Sequence, residues 1–201
     1  MPRFHRDDID KFFDYGIHQG MRTIYMGSYS VDDGSESGVD AKMAEAIIKG
    51  LYLLDTQTSQ GDKPITILMN NPGGDDYHGF AIFDAIKICK NHVTIKVFGY
   101  AMSMGSIILQ AGDERLMSPN ARMMIHYGQF GFEGHTQDYI RWGNEAKFLN
   151  ERMENLYLEK IRVKNPKYSL RQLRELLKFD TFIGAEEAVK LGLADDIIKS
   201  S

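Results

Sequence analysis

Apolar residues along the chain form short continuous runs that alternate with longer segments in which they recur at every third or fourth position. The runs lie at residues 23–26, 65–69 and 93–98, and their length and composition are typical of buried strands. Between the first two runs, helical spacing predicts a helix over residues 39–54, and a second helix is predicted to follow Phe80. Strands that alternate with helices across short turns predict an α/β fold with parallel strands.

The second half of the chain is expected to add shorter elements and one long helix. The predicted elements are helices at 103–110, 138–162, 170–177 (with Ser169 as its N-cap) and 185–191, and strands at 122–125 and 197–198. The 138–162 helix is too long for an ordinary crossover, and it follows an extended segment at 130–136 that glycines interrupt. We therefore expect an arm that buries apolar residues against another copy of the chain: Ile140, Phe148, Leu149, Met153, Leu156 and Tyr157.

Composition excludes several classes of protein without naming one. The chain has 201 residues, a formal net charge of −4 and 43% hydrophobic residues, values typical of one soluble globular domain. A charge this close to neutral argues against general binding to nucleic acid, and no apolar run reaches the roughly 20 residues that span a membrane. The single cysteine, Cys89, excludes an internal disulfide. The N-terminus lacks the apolar core of a secretory signal, so a cytoplasmic location is expected.

The segment that points most directly to chemistry is the Gly-Tyr-Ala-Met-Ser-Met-Gly-Ser run at residues 99–106. It predicts a strand that ends in a sharp turn at Ser103, where a helix begins. Small residues two positions before and after the serine, Ala101 and Gly105, permit the tight turn of a nucleophile elbow. Such a turn exposes a hydroxyl at the positive end of a helix, where backbone N–H groups can hold an oxyanion. The pattern is also typical of an ordinary helix N-cap, and Ser106 is the next candidate nucleophile.

Three further polar features lie at the ends of predicted elements. Gly73 and Gly74 follow a strand and let the backbone approach a ligand closely, although a plain strand-to-helix turn explains them as well. His126 directly follows another strand, and Asp180 precedes a short helix. Taken singly, the histidine is typical of a surface or core residue and the aspartate of a cap.

Ser103, His126 and Asp180 together predict a hydrolase. A serine hydroxyl is a weak nucleophile at neutral pH, so a neighbouring imidazole must take its proton and a carboxylate must hold that imidazole in the right tautomer. The order of the three residues along the chain carries no information, because the same geometry recurs in several orders on unrelated folds.

Four segments resemble the proteolytic subunit of Clp protease, a self-compartmentalising serine protease. They are the 99–106 run, Asn71-Pro72-Gly73-Gly74 before it, Met123-Met124-Ile125-His126 after it, and Asp180 to Ala188 followed by Leu191 to Asp195. The resemblance covers roughly residues 23–198, and four segments in this order are much more specific than any one of them.

The resemblance implies a role for each matched residue. Ser103 would be the nucleophile, His126 the base and Asp180 the acid that orients the base. The N–H groups of Gly74 and Met104 would form the oxyanion hole. No metal or cofactor is implied. The residues expected to bind the substrate peptide are Gly73, Gly128 and Gly131.

The fold implied by the resemblance is a stack of βαβ units, shared with crotonases, with a protruding handle at about residues 127–162. We expect one peptidase domain over residues 23–201 after an N-terminal segment over residues 1–22. In the family, handles from two rings interlock, and the rings enclose a chamber that contains the active sites. The resemblance therefore implies that this chain forms a homo-oligomeric ring, that two rings stack, and that polypeptides are cleaved inside. Family members also dock an AAA+ unfoldase.

Three features depart from the family pattern. Residues 3–15 are short and charged, unlike the family's docking segment, which argues against a standard unfoldase partner. Phe179 stands where the family often has an arginine that bridges the rings, so a different ring contact is predicted. The loop at 32–38 is longer and more acidic than expected. These features indicate a divergent member, either phage-encoded or an accessory paralogue.

Two functions of other classes stay open on the same fold. One is a crotonase-like enzyme acting on acyl-coenzyme A thioesters, and the other is a non-catalytic subunit of a mixed Clp ring. The presence of Ser103, His126 and Asp180 counts against both, because neither function needs the full set.

Overall fold

A mostly parallel sheet of eight strands runs through the computed structural model, which describes residues 6–28, 38–57 and 63–199. The strands are β1 (Ile17–His18), β2 (Thr23–Met26), β3 (Ile65–Asn71), β4 (Val93–Met102), β5 (Glu114–Met117), β6 (Arg122–Ile125), β7 (Thr181–Gly184) and β8 (Asp196–Ile197). The hydrogen-bonded order is β1-β2-β3-β4-β5-β8, with β6 paired to both β4 and β7. Among the described residues, the β1–β2 and β6–β7 pairs are antiparallel and the other strand pairs are parallel. The predicted α/β fold is confirmed.

Helices follow most of the strands, and their caps explain where several begin or end. They are α1 (Arg6–Tyr15), α2 (Ala41–Asp55), α3 (Asp76–Ile88), α4 (Met104–Leu109), α5 (Thr136–Lys164), α6 (Leu170–Leu177) and α7 (Ala185–Leu191). The Asp40 carboxylate accepts a hydrogen bond from Met43 N at 2.8 Å and starts α2. The predicted N-cap Ser169 is confirmed, because it forms a capping box with Gln172 at the start of α6.

Register between the central strands builds the core. Ile24 of β2, Ile67 of β3 and Ile95 of β4 lie side by side in parallel register, and all three are buried. Leu51 and Leu54 of α2 join the same apolar cluster. Each such side chain stabilises the fold by roughly 1.5–3 kcal/mol through burial.

β4 changes its partner half-way along, and this change brings the candidate residues together. Residues 94–97 pair with β5, whereas residues 100–102 pair with β6. The end of β4 is therefore flanked by β6 on one side and by β3 on the other, where Asn71 is in register with Ala101. Loops after three parallel strands meet at this edge, the edge at which open α/β sheets bind their ligands.

The long helix α5 is an arm only over its first half. The expectation that Leu149, Met153 and Tyr157 pack against another copy is wrong, because all three are buried in the chain's own core. They lie at residue 149 and beyond in α5, a helix that packs against α4, α6 and α7. Ile140 and Phe148, in the first half of the helix, are 55% and 56% exposed and do not belong to the core cluster.

The apolar pattern misses α1, β1, β5 and β7. Strand β5 is hidden by its charges, which the fold satisfies individually. Arg115 lies 2.5 Å from Asp195 through Nη2 and Oδ1, and Glu114 accepts a hydrogen bond from Thr94. Because Glu114 and Arg115 make up half of this short strand, the sequence contains no continuous apolar run by which to recognise it.

Some features of the sequence fall at or beyond the limits of the described structure. Residues 3–5 and all but Gly38 of the acidic loop at 32–38 lie outside the described residues. The segment at 126–135 forms neither helix nor strand, so the predicted extended stretch pairs with no described strand. None of the helices in the described ranges has the length and apolar character needed to cross a membrane.

Candidate active site

Ser103 occupies a strained turn between β4 and α4. Its φ is 48° and its ψ is −124°, a conformation that L-residues rarely adopt and that is typical of functional sites. The turn is held by a hydrogen bond from Ser103 N to Met124 O at 2.9 Å. Although Ser103 is the N-cap residue of α4, its side chain makes no capping bond. Oγ lies instead 2.8 Å from Nε2 of His126.

The sheet register explains why these side chains meet. Met102 of β4 is in register with Met124 of β6, so the residues that follow the two strands lie close together. Across the antiparallel pair of β6 and β7, Ile125 faces Thr181. The next residues outward, His126 and Asp180, therefore also face each other, and Nδ1 of His126 lies 2.9 Å from Oδ1 of Asp180.

The structure thus joins the three predicted residues in one hydrogen-bonded chain from hydroxyl to imidazole to carboxylate. The His126 side chain is only 15% exposed, whereas that of Asp180 is 59% exposed. An imidazole covered in this way is held in a fixed orientation by two partners. Its proton acceptor faces Ser103, provided that Nδ1 carries the hydrogen that Asp180 accepts.

Ser106, the other candidate nucleophile, is fully buried under the turn. Its Oγ donates a hydrogen bond to Ser103 O at 2.6 Å and lies 2.6 Å from the hydroxyl of Tyr157 on α5. Burial raises the pKa of Tyr157 far above its usual value, so this phenol stays protonated and donates to Ser106. Ser106 therefore supports the backbone of Ser103 and has no access to substrate.

The glycine pair after β3 is placed against this turn. Gly73 has a φ of 96°, and a Cβ built on it would lie 2.7 Å from Cβ of Ser103 and 2.8 Å from Met104 N. Any larger residue would push the turn away, which explains why glycine occupies this position. Gly73 is itself buried.

Gly74 and Met104 present backbone N–H groups beside Ser103. A short bridge to Val39 uses the carbonyl of Gly73 and the amide of Asp75, so it leaves the intervening amide of Gly74 unused. Met104 is the first residue of α4, and the N–H groups of a first helical turn have no acceptor within the helix. Both amides are therefore donors of the kind that stabilise a developing oxyanion.

A cleft of about 340 Å³ opens in front of Ser103 and His126. Gly74 and Asp76 form one wall and Gly128 part of another, and α5 closes the side. Of the expected substrate-binding glycines, Gly128 lines the cleft. Gly131 is not among the residues lining it, and a Cβ added there would touch nothing within 4 Å.

The model of the Clp protease family matches residues 34–201. The chain belongs to the Clp protease family. The proteolytic subunit of the ATP-dependent Clp protease of Deinococcus radiodurans is 38% identical over 162 residues, which span 80% of this chain and 76% of that protein. The resemblance predicted from the four segments is confirmed, and membership of this family makes the protein a peptidase.

Sequence reasoning missed one acidic residue of this Clp protease site. Asp76, the first residue of α3, lines the cleft and is half-buried. Burial raises the pKa of its carboxyl and neighbouring Asp75 raises it further, whereas His126 opposes the shift. The signal was visible as two consecutive acids directly after the glycine pair, but only the structure shows that the second one faces the cleft.

A second group missed from sequence anchors the segment that follows His126. The Tyr127 hydroxyl donates a hydrogen bond to Glu154 of α5, and Arg174 of α6 donates two more at 2.8 and 2.9 Å. Burial and this bond to Glu154 raise the pKa of Tyr127 to about 12. Burial alone would raise the pKa of Glu154, but the bonds from Arg174 and Tyr127 outweigh it and lower the pKa. The buried carboxylate therefore stays ionised and fixes Tyr127 beside the site.

Proposed function

We propose that this Clp protease is a serine endopeptidase that cleaves unfolded polypeptides or short peptides inside an oligomeric chamber. Ser103 is the nucleophile, His126 the base and Asp180 the residue that orients the base. The observation that carries the proposal is the unbroken chain of hydrogen bonds, 2.8 Å from Ser103 to His126 and 2.9 Å from His126 to Asp180. These lengths suit proton transfer without further movement of the side chains.

In the proposed reaction, Oγ of Ser103 attacks the peptide carbonyl carbon as Nε2 of His126 takes the hydroxyl proton. The carbonyl oxygen becomes an oxyanion and accepts hydrogen bonds from the N–H groups of Gly74 and Met104. The C–N bond then breaks, the leaving amine takes the proton from His126, and an acyl enzyme remains. Water, deprotonated by the same imidazole, attacks the ester carbonyl; the C–Oγ bond then breaks, and the imidazolium returns the proton to Oγ of Ser103 as the acid is released.

Assembly into a homo-oligomeric ring, with stacked rings, is part of the proposal. It is supported by apolar side chains that the single chain leaves exposed on the first half of α5, where Tyr139, Ile140 and Phe148 are 61%, 55% and 56% exposed. Phe179 and Phe182, on either side of Asp180, are 76% and 52% exposed. A phenylalanine pair next to Asp180 would form an apolar contact between subunits. A cytoplasmic location belongs to the same proposal, whereas the short, charged residues 3–15 argue against docking of a standard AAA+ unfoldase.

The cleft disfavours the acyl-coenzyme A alternative. Coenzyme A carries several phosphate charges, which favour lysine or arginine at the site that receives them. None of the described residues that line the cleft is lysine or arginine, and Asp75, Asp76 and Glu145 are all carboxylates. Repulsion between like charges therefore opposes such a ligand.

Labelling with a fluorophosphonate probe tests the proposal. The probe should form a bond to Oγ of Ser103, and Ser103→Ala should remove both labelling and peptide hydrolysis while the protein stays folded. Ser118→Ala, at a serine that follows β5 and whose amide donates to Val97 O, is the matched control and should label like the wild type. Labelling that persists in Ser103→Ala would overturn the assignment of the nucleophile.

A further inference from the structure

Asp76 is a cleft residue to which the triad assigns no role. It lies two residues after Gly74, and a Cβ built on Gly128 would lie 3.4 Å from its Oδ2. The carboxyl therefore reaches from the start of α3 towards the opposite wall of the cleft. It is also close enough to His126 for the two groups to interact electrostatically. A substrate bound to Ser103 has to pass this carboxyl.

Asp75 and Asp76 differ in what they do for α3. Oδ1 of Asp75 accepts a hydrogen bond from His78 N at 2.9 Å and caps the helix. No group in the described part of the chain donates a hydrogen bond to the Asp76 carboxylate. The helix is thus already capped without Asp76, whose carboxylate keeps its acceptor capacity for a ligand.

The charges around the cleft are of one sign. Glu145 of α5 adds a third carboxylate to those of Asp75 and Asp76. Two cations of α5 are engaged elsewhere, since Lys147 lies 3.8 Å from Glu151 and Arg152 lies 3.3 Å from Asp84. Within the described residues, no lysine or arginine lines the cleft to balance its negative charge.

The walls of the cleft suit the apolar stem of a lysine or arginine side chain as well as its charge. Trp142 and Phe130 stand 6.3 Å apart, centroid to centroid, at the rim, and Leu149 lies deeper at 9% exposure. Lysine and arginine bury their methylene stems against apolar surface, and their cations are attracted to aromatic faces. Burial also makes an ionised Asp76 unfavourable in the empty site, as its raised pKa indicates. A bound cation relieves that cost.

We infer that the cleft selects substrates with a lysine or arginine next to the scissile bond, whose cation pairs with the Asp76 carboxylate. This inference rests on the proposed serine peptidase function. Asp76 is assigned to substrate recognition, and the reaction steps at Ser103 are unchanged by it.

Two peptidyl aminomethylcoumarins test the inference, one ending in arginine and the other in leucine before the coumarin. The quantity measured is the ratio of their kcat/KM values. We expect wild type to prefer the arginine peptide, and Asp76→Asn to lower the ratio about tenfold, the effect of losing one partly desolvated charge pair. Asp84→Asn, on the same helix but outside the cleft, is the matched control and should keep the wild-type ratio.

The inference can be overturned with the wild-type protein alone, if its kcat/KM is higher for the leucine peptide than for the arginine peptide. A preference for arginine that Asp76→Asn leaves unchanged would overturn the role of Asp76. Hydrolysis of neither peptide, with no fluorophosphonate labelling of Ser103, would overturn the proposed function itself. Hydrolysis of both peptides at equal rates would overturn the inference alone.

Discussion

Tyr157 and Ser106 are hydrogen-bonded through their hydroxyl groups, 2.6 Å apart, in the buried space beneath the Ser103 turn. Ser106 passes this contact on, because its Oγ also donates to the carbonyl of Ser103. The strained φ of Ser103 is thus supported through Ser106 by Tyr157, which lies 51 positions after Ser106 on a different helix. The long helix α5 is therefore linked to the proposed nucleophile through Ser106.

Tyr157→Phe should weaken that link without opening a cavity. Loss of one buried hydrogen bond is expected to lower the free energy of unfolding by about 1 kcal/mol. It should also lower kcat for a short peptide, with KM little changed, since the turn that aims Oγ is less firmly held. Thermal unfolding and steady-state kinetics measure the two effects. Tyr139→Phe, on the exposed part of α5, is the control; an unchanged kcat in Tyr157→Phe would contradict the link.

Asp180→Asn should leave the fold intact and reduce the rate of hydrolysis by roughly 10⁴, the loss that follows when the imidazole is held in the wrong tautomer. The change is nearly isosteric, and the side chain is 59% exposed, so little stability is at stake. The rate of fluorophosphonate labelling and kcat/KM should fall together. Near-normal activity would mean that another group orients His126. Asp138→Asn, in the first turn of α5, serves as the control.

Two members of the proposed triad, Ser103 and His126, were predictable because each lies at the end of a strand that the apolar pattern marks, whereas Asp180 precedes β7, which the pattern misses. His126 follows β6 directly, and Ser103 follows β4 at a turn flanked by small residues. Their meeting depends on strand register, which pairs Ile125 with Thr181 and is not readable from a pattern with a period of two. The motif order supplied by the family resemblance replaced that missing information.

Other parts were not predictable for physical reasons. Helical spacing marks the apolar face of α5, but it does not tell whether that face meets its own core or another subunit. Leu149 and Ile140 therefore looked alike in sequence, although one is 9% and the other 55% exposed. The Ser106–Tyr157 contact was likewise not predictable, because serine and tyrosine both occur commonly in helices and at buried positions. Long-range contacts of this kind leave no local signal.

Asp76 should make stability depend on pH in a defined direction. Its pKa is higher in the folded chain than in the unfolded chain, chiefly because of burial. Between those two values the folded state holds a proton that the unfolded state has lost, so stability falls as pH rises through this window. Asp76→Asn should therefore raise Tm at pH 7 and give no such gain at pH 3, where the aspartic acid is neutral in both states.

Calorimetry of wild type and variant across pH 3 to 7 measures this effect. Asp84→Asn provides the contrast, because it removes an ion pair with Arg152 and should not raise Tm. An equal Tm for wild type and Asp76→Asn at pH 7 would show that the carboxyl is stable when ionised, and so is already partnered. A gain in stability paired with the loss of arginine preference would be the usual exchange of stability for function.

The last prediction concerns assembly. Ile140 and Phe148 leave apolar surface exposed on the first half of α5, and burying it between subunits is favourable by about 25 cal/mol per Å². Because the same half-helix contributes Trp142 and Glu145 to the cleft, assembly and activity should be coupled. Phe148→Glu should lower the mass measured by light scattering and reduce peptide hydrolysis in parallel. Val163→Glu, at an apolar position near the opposite end of α5 that is 78% exposed, should change neither. Full activity of wild type as a monomer at micromolar concentration would refute the coupling, and dissociation by Val163→Glu alone would move the interface to the other end of the helix.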